Sequence, residues 1–204
     1  MRYLLTLAFL CMFLPAALAA KKSEPLPDSP TIEAYLNSLS TLKSRFVQTD
    51  NDGKQVTGTF LLKRPGRLRF EYDPPVKDFI VADGLLVHYY DEKMKQQSSI
   101  PISKSLADFF LRAKMQLSGD IAVSGIARMD GLLQLTLTQS KDPLAGSLTL
   151  LFGEKPLQLQ KWRIVDAQGL TTTVALYDTQ SGIDLNGEQF HYYDPENKKS
   201  FTNK

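Results

Sequence analysis

Residues 61–75 read LLKRPGRLRFEYDPP, and this stretch decides the fold. Leu68, Phe70 and Tyr72 alternate with charged residues, which predicts a β-strand with one apolar face. The Pro-Gly pair at positions 65–66 predicts a tight turn between this strand and the apolar run before it. The stretch therefore predicts a sheet that keeps one of its faces away from water.

The same two-residue period extends from Ser44 through most of the chain. Turn signals of the Asp-Gly type separate the apolar runs, which is typical of a meander of antiparallel hairpins. No unit recurs at a fixed period, so about ten strands should form one large, curved antiparallel sheet or an open barrel. The predicted strands centre on residues 46–48, 60–62, 68–72, 79–81, 85–91, 121–127, 132–138, 147–152, 157–165 and 170–177.

Two segments with helical spacing interrupt this pattern, at residues 31–42 and 100–115. In the second segment, Ser105 and Asp108 have the spacing of a capping box. We expect one short amphipathic helix before the strands and a second, rich in phenylalanine, inserted between them. The apolar positions are Ile32, Tyr35, Leu36 and Leu39 in the first helix and Leu106, Phe109, Phe110 and Ala113 in the second.

The chain begins with a stretch typical of a secretory signal peptide. Residues 1–20 have a basic start, a short apolar core and small residues before a cleavage site after about Ala19 or Ala20. The polar, proline-bearing residues 21–30 predict a flexible lead-in, and residues 31–204 are long enough for a single domain. We therefore expect an exported protein.

Composition argues against several classes of protein. The net charge of +2 is nearly balanced and the basic residues are scattered, which disfavours nucleic acid as a partner. The only cysteine, Cys11, lies in the leader behind a leucine, which is a poor context for lipid attachment. His88 and His191 belong to no ligand motif, and His88 has the setting of a structural residue within a strand. We expect no catalytic residue, no metal site and no cofactor.

Apolar and aromatic residues remain in surplus. Each of them alone is best explained as part of the core, but a sheet curved around short helices can leave an apolar space between the layers. The candidate lining residues of such a cavity are Phe46, Phe60, Leu62, Leu68, Phe70, Tyr72, Phe79, Val81, Leu106, Phe109 and Phe110.

Several short motifs occur in a fixed order between residues 45 and 91. They are Phe46-Val47-Gln48, Gly58-Thr59-Phe60, Lys63-Arg64-Pro65-Gly66, the alternating Leu68, Phe70 and Tyr72, Pro74-Pro75, Ile80-Val81-Ala82-Asp83-Gly84 and Tyr89-Tyr90-Asp91. As an ordered set they resemble the LolA-type periplasmic outer-membrane lipoprotein carriers. The rest of the chain matches these carriers in layout more than in residues.

The resemblance implies a mainly β fold with an α lid: an unclosed antiparallel β-barrel covered by short helices. An apolar cavity between barrel and lid would take the acyl chains of lipoproteins. The implied monomeric carrier works in the periplasm, accepting cargo from an inner-membrane ABC-type releasing complex and passing it to an outer-membrane acceptor. The arginine that matches Arg64 is implied to gate the lid through hydrogen bonds to lid backbone.

Other functions fit the same pattern of residues. An outer-membrane acceptor or a periplasmic lipoprotein sensor could use this fold, although an acceptor normally needs a lipid anchor. A general binder of lipids or other apolar ligands is a further alternative. A hydrolase ranks last, because no nucleophile and base can be paired. The sequence does not indicate which lid residues would touch lipid. It predicts one short strand in the tail after Phe190 and assigns the tail no role in partner docking.

Overall fold

Eleven strands form one continuous antiparallel sheet within residues 29–196, the part of the chain that this computed structural model describes. The expected signal peptide, most of the lead-in and the last eight positions lie outside the described residues. The strands are β1 (Thr41–Thr49), β2 (Gln55–Lys63), β3 (Arg67–Tyr72), β4 (Phe79–Asp83), β5 (Leu86–Asp91), β6 (Gln96–Pro101), β7 (Ile121–Met129), β8 (Leu132–Gln139), β9 (Gly146–Glu154), β10 (Leu157–Asp166) and β11 (Thr171–Ser181).

The strand order is β6-β5-β4-β3-β2-β1-β11-β10-β9-β8-β7. Every neighbouring pair is a sequential hairpin except β1 with β11, which joins the first half of the sheet to the second. Strands β6 and β7 are the two edges of the sheet, so the barrel is unclosed. The predicted fold class, a mainly antiparallel open barrel with few short helices, is confirmed.

One strand, β6, has no counterpart among the predicted strands. Its sequence, QQSSIP, is exposed at every position and has no apolar alternation. The strand forms because its backbone pairs with β5 from Leu86 opposite Pro101 to Asp91 opposite Gln96. A pattern search that looks for a buried face cannot detect a strand of this kind.

The first predicted helix is present as α1 (Ser29–Ser38), which buries Ile32 and Leu36. It ends four residues before the predicted boundary, because β1 begins at Thr41. Leu39 is buried although it lies beyond the helix. The amphipathic pattern therefore located the buried face correctly and overestimated the length of the helix.

The second predicted helix, residues 100–115, is largely replaced by other structure. Strand β6 takes its first two residues, a 3₁₀ turn spans Ile102–Lys104, and only α2 (Asp108–Leu111) is α-helical. The capping box does not form, because the Ser105 hydroxyl donates to the carbonyl of Ile102 at 2.9 Å and Asp108 pairs with Arg112. Bridging the two sheet edges overrides the local helix propensity.

Residues 102–120 connect the two sheet edges and lie beside α1. The side chain of Asn37 donates to the carbonyl of Met115 at 3.0 Å and accepts from its amide at 2.8 Å. The amide of Leu117 donates to Glu33 at 2.9 Å. We therefore call α1 and residues 102–120 together the lid. No helix within residues 29–196 is long and apolar enough to cross a membrane.

The C-terminal segment packs against the outer face of the sheet. The side chains of Leu185 and Phe190 are buried against Leu61. The ring of Tyr192 stacks on that of His88, with the ring centres 4.3 Å apart. The tail through Glu196 contains a 3₁₀ turn, Gly187–Phe190, and none of the strand that was predicted after Phe190. This segment covers the side of the sheet that faces away from the lid.

Candidate apolar cavity beneath the lid

A cavity of about 750 Å³ lies between the inner face of the sheet and the lid. Such a volume falls in the range of sites that hold small molecules. Its interior is lined mainly by apolar side chains from the first half of the sheet, from β10 and β11, and from the lid. These residues are Val56, Phe60, Leu68, Phe70, Ile80, Val87, Leu106, Ala107, Phe110, Trp162, Ile164 and Val174.

The opening stretch of the sequence forms one wall of this cavity. Leu68, Phe70 and Tyr72 all line it, because residues two positions apart on a strand point to the same face. The ring centres of Phe60 and Phe70 lie 4.7 Å apart, and Phe60 also contacts Trp162 at 5.3 Å. The wall is therefore a continuous aromatic surface with no charged group.

Six of the predicted lining residues face the cavity, namely Phe60, Leu68, Phe70, Tyr72, Leu106 and Phe110. Phe46 lies on the same face but is fully buried behind Phe70 and Tyr72. Its ring packs edge to face with theirs, with ring centres 5.3 and 5.5 Å apart. Leu62 belongs to the packed core. Phe109, on α2, is also buried in that core and does not line the cavity.

Phe79 and Val81 point to the opposite face of β4, where Phe79 stacks on Tyr90 at 5.3 Å. Ile80, between them, lines the cavity instead. The run Phe79-Ile80-Val81 is apolar at every position, so its sequence does not show which face turns inward. Phe79 and Val81 are accordingly left out of the cavity wall.

Trp162 was missed by the sequence reasoning, although its ring contacts Phe60, Phe70 and Phe110. It lies on β10, far along the chain from the motif region. A bulge between Leu159 and Lys161 shifts the register of this strand, so that the inward positions change from odd to even numbers. The alternation read from Leu157 and Leu159 therefore assigns Trp162 to the wrong face.

Arg64 joins the sheet to both parts of the lid. Its Nε donates to the carbonyl of Phe110 and its Nη1 to the carbonyl of Leu36, each at 2.6 Å. The guanidinium has no carboxylate partner among the described residues, and burial lowers its pKa. Because an arginine stays charged at neutral pH, both bonds are charge-assisted. Arg64 thus connects α1, α2 and the end of β2.

The Pro-Gly turn beside Arg64 brings two of the sequence motifs into contact. Gly66 has a φ of +78°, and a Cβ there would lie 2.9 Å from the Cα of Gly84. Its amide donates to the carbonyl of Leu111 at 2.9 Å, which adds a third backbone contact with the lid. A larger residue at this position would push the turn away from both neighbours.

The surroundings of Gly58 explain why the motif Gly58-Thr59-Phe60 begins with a glycine. A Cβ at this position would lie 2.7 Å from the ring of Phe46, which covers the glycine from the neighbouring strand. That Cβ would also lie 2.3 Å from the backbone oxygen of Glu71, so only glycine fits at this position. Phe46 supports the aromatic wall from behind rather than facing the space itself.

Charged side chains surround the open end of the cavity, where the hairpins after β1, β3 and β5 turn. Nζ of Lys77 lies 3.5 Å from Oε1 of Glu92. The carboxylate of Asp78 accepts a hydrogen bond from the backbone amide of Glu92 at 3.0 Å. No group of three His, Cys, Asp or Glu residues with metal-site geometry occurs in the described part of the chain. The site is thus an apolar space with a charged rim. The rim residues are Asp50, Lys54, Lys77, Asp78, Glu92 and Lys93.

One family of known proteins matches most of this chain. Residues 37–193 match the model of the family described as outer membrane lipoprotein carrier protein LolA. The chain belongs to this family. The LolA match includes all eleven strands and the inserted part of the lid, and it leaves out most of α1.

Individual LolA relatives are distant in sequence. An outer-membrane lipoprotein carrier protein from Methylococcus capsulatus is 25% identical over 211 residues, covering 100% of this chain and 98% of the relative. One from Methylobacillus flagellatus is 27% identical, with coverages of 81% and 84%. A solved LolA superfamily protein from Nitrosomonas europaea has 12% identity and a TM-score of 0.43, covering 80% of this chain and 97% of its own.

Proposed function

We propose that this protein carries the acyl chains of lipoproteins in the cavity beneath its lid. The observation that supports this most is the combination of an apolar space of about 750 Å³ with a lid tied down by Arg64. Membership of the lipoprotein carrier family agrees with it. Lipid contact is assigned to Phe60, Leu68, Phe70, Tyr72, Leu106 and Phe110, together with Ile80 and Trp162.

The energetics of lipid transport explain why a cavity is needed. An acyl chain of roughly fifteen methylenes gains on the order of 10 kcal/mol when it leaves water, at about 0.8 kcal/mol per methylene. Free lipid would therefore not cross an aqueous compartment at a useful rate. An apolar wall such as that formed by Phe60, Phe70 and Trp162 replaces the membrane during the passage.

The same energetics make release difficult, since a cavity equivalent to a membrane would keep its cargo. Binding must therefore be offset by the loss of contacts that exist only in the empty, closed state. The two bonds from Arg64 to lid carbonyls are suited to this role. We assign Arg64 as the gate: cargo entry breaks these bonds, and their return favours release.

The carrier cycle follows from this assignment. The protein, exported to the periplasm as a monomer, would accept cargo from an inner-membrane ABC-type releasing complex and deliver it to an outer-membrane acceptor. No bond in the cargo is made or broken, so the cycle needs no catalytic residue and no cofactor. The charged rim would face the partner at each transfer.

Identification of the bound lipid tests the proposal. Full-length protein, exported by a Gram-negative host and purified without detergent, is extracted and its ligands are analysed by mass spectrometry. The wild type should yield acylated peptide. Ile80→Trp, which fills the cavity, should lower the yield several-fold, whereas Val165→Trp, on the opposite face of β10, should leave it unchanged. Recovery of phospholipid without acylated peptide would contradict the proposal and favour a general lipid binder.

A further inference from the structure

A polar pair interrupts the apolar wall of the cavity near its open end. Gln48, on β1, and Tyr72, on β3, both line the space. The hydroxyl of Tyr72 donates to Oε1 of Gln48 at 2.9 Å. Neither side chain is needed to close a turn or to pair a charge, so their presence on an apolar wall calls for another reason.

The amide nitrogen of Gln48 is a donor without a partner. Its Oε1 is engaged by Tyr72, while Nε2 has no hydrogen-bond partner among the described residues. Burial raises the pKa of Tyr72 to about 12, so its hydroxyl stays protonated and keeps donating. This bond holds the amide in one orientation, with the two N–H groups of Nε2 free for a ligand in the cavity.

The pair lies between two zones of different polarity. Asp50, one of the rim residues, lies just beyond the end of β1 and two residues from Gln48, which is about 7 Å at the rise of a strand. Leu68 is four residues further in along β3, or about 13 Å. From the mouth inward, the cavity therefore presents charges, then a neutral donor, then aromatic and aliphatic groups.

Esterified lipids have the same order of polarity. A polar head is followed by neutral ester carbonyls, which only accept hydrogen bonds, and then by acyl chains. A buried carbonyl without a donor loses its hydration at a cost, and a neutral amide can replace that hydration without the larger cost of burying a charge. Gln48 has both the chemistry and the depth that such a carbonyl requires.

We propose that Nε2 of Gln48 donates a hydrogen bond to an acyl ester carbonyl of the cargo, and that Tyr72 positions the amide for this contact. The inference rests on the proposed carrier function and specifies how the lipid is held. The contact sets the depth to which the acyl chains enter. It also selects ester-linked lipids over chains that lack a carbonyl, which an apolar wall alone could not do.

Two matched probes test this contact in purified full-length protein. One is a short-chain S-diacylglyceryl cysteine peptide; the other is its dialkyl ether analogue, in which both ester carbonyls are replaced by methylenes. Affinities are measured by displacement of a fluorescent fatty acid. The wild type should bind the ester probe about five- to tenfold more tightly than the ether probe, as one good hydrogen bond allows.

Variants then assign the preference to particular atoms. Gln48→Met, which keeps the length of the side chain, should lose the preference for the ester and bind the ether as the wild type does. Tyr72→Phe should lose part of the preference. Thr172→Val, which removes another hydroxyl that lines the cavity, should keep it. Unchanged binding of the ether probe shows that each variant retains an intact cavity.

The outcomes separate the inference from the carrier function. If the wild type binds both probes equally, or if Gln48→Met weakens both equally, the ester contact is wrong and the carrier function stands. If the wild type binds neither probe, the carrier function fails and the inference fails with it. If Tyr72→Phe behaves as the wild type, its positioning role is wrong.

Discussion

The two halves of the sheet carry the same alternation of apolar and polar residues and use it differently. On β8, Leu133, Leu135 and Leu137 are completely buried, as are the facing residues of β9. On β3 and β4, Phe70 and Ile80 stay partly exposed to the cavity. We call the inner faces of β8 and β9 the packed half and those of β2 to β5 the hollow half.

The lid creates this difference. Helix α1 packs against the packed half, where Tyr35 meets the ring of Phe152 edge to face at 5.8 Å. Over the hollow half the lid contributes to the cavity wall only residues 106, 107 and 110. One sheet can therefore hold a close-packed region beside an open region that leaves room for a ligand.

The largest expected effect is on the packed half. Leu135→Ala should destabilise the protein by about 3 kcal/mol, because it leaves a cavity among side chains that cannot collapse into it. Ile80→Ala, in the hollow half, should cost only about 1 kcal/mol, since it enlarges a space that already exists. Urea unfolding measures both changes, provided that the m-values agree. Equal losses would show that the two halves are packed alike.

The second effect concerns the connection between the lid and the hollow half. Arg64→Leu removes two charge-assisted bonds that stabilise the closed, empty state, each of which is typically worth about 1.5–3 kcal/mol. The variant should load cargo and release it at least about tenfold more slowly, since tenfold needs only about 1.4 kcal/mol. Transfer of labelled lipoprotein from carrier to acceptor membranes measures the rate.

A matched control separates the gate from a general loss of positive charge. Arg163→Leu removes the same charge from an exposed position on β10. It should transfer lipoprotein at the wild-type rate. Normal release by Arg64→Leu would show that Arg64 does not gate the lid, whereas slow release by both variants would point to an electrostatic effect on the encounter with the acceptor.

Local alternation was sufficient to predict most strands and the inward face of β3. Leu68, Phe70 and Tyr72 were assigned to one apolar face, and all three line the cavity. The resemblance added the expectation for Arg64, whose contacts join it to residues 28 and 46 positions away. Spacing alone could not reveal these partners, because every residue has a backbone carbonyl and the sequence does not indicate which carbonyls accept from Arg64.

The features that sequence could not predict depend on neighbours in space. Strand β6 exists through its pairing with β5, and Trp162 faces inward because of a bulge at Gln160. The predicted helix at residues 100–115 shrinks to α2 because this segment must bridge two sheet edges. In each case tertiary geometry overrides a local preference.

The smallest effect is expected where the lid connects to β7, the edge strand beside the packed half. Arg112 pairs with Asp108 on α2 and with Asp120, directly before β7, at 2.7 Å. Both ion pairs are partly exposed to solvent, and the pair with Asp120 more so, so Arg112→Gln should cost only about 1 kcal/mol in global stability. The loss should appear locally, as faster hydrogen exchange of lid residues 102–112 than in the wild type at neutral pH.

The pH dependence of this pair identifies its cause. Arg112 lowers the pKa of Asp120 below its ordinary value of 3.8, so the stabilisation is complete above that value and is lost as pH falls through the folded-state pKa. The difference in exchange between Arg112→Gln and the wild type should therefore shrink in acid, when both are compared at the same pH. A difference that persists after Asp120 is protonated would mean that Arg112 holds the lid through Asp108 or by packing rather than through Asp120.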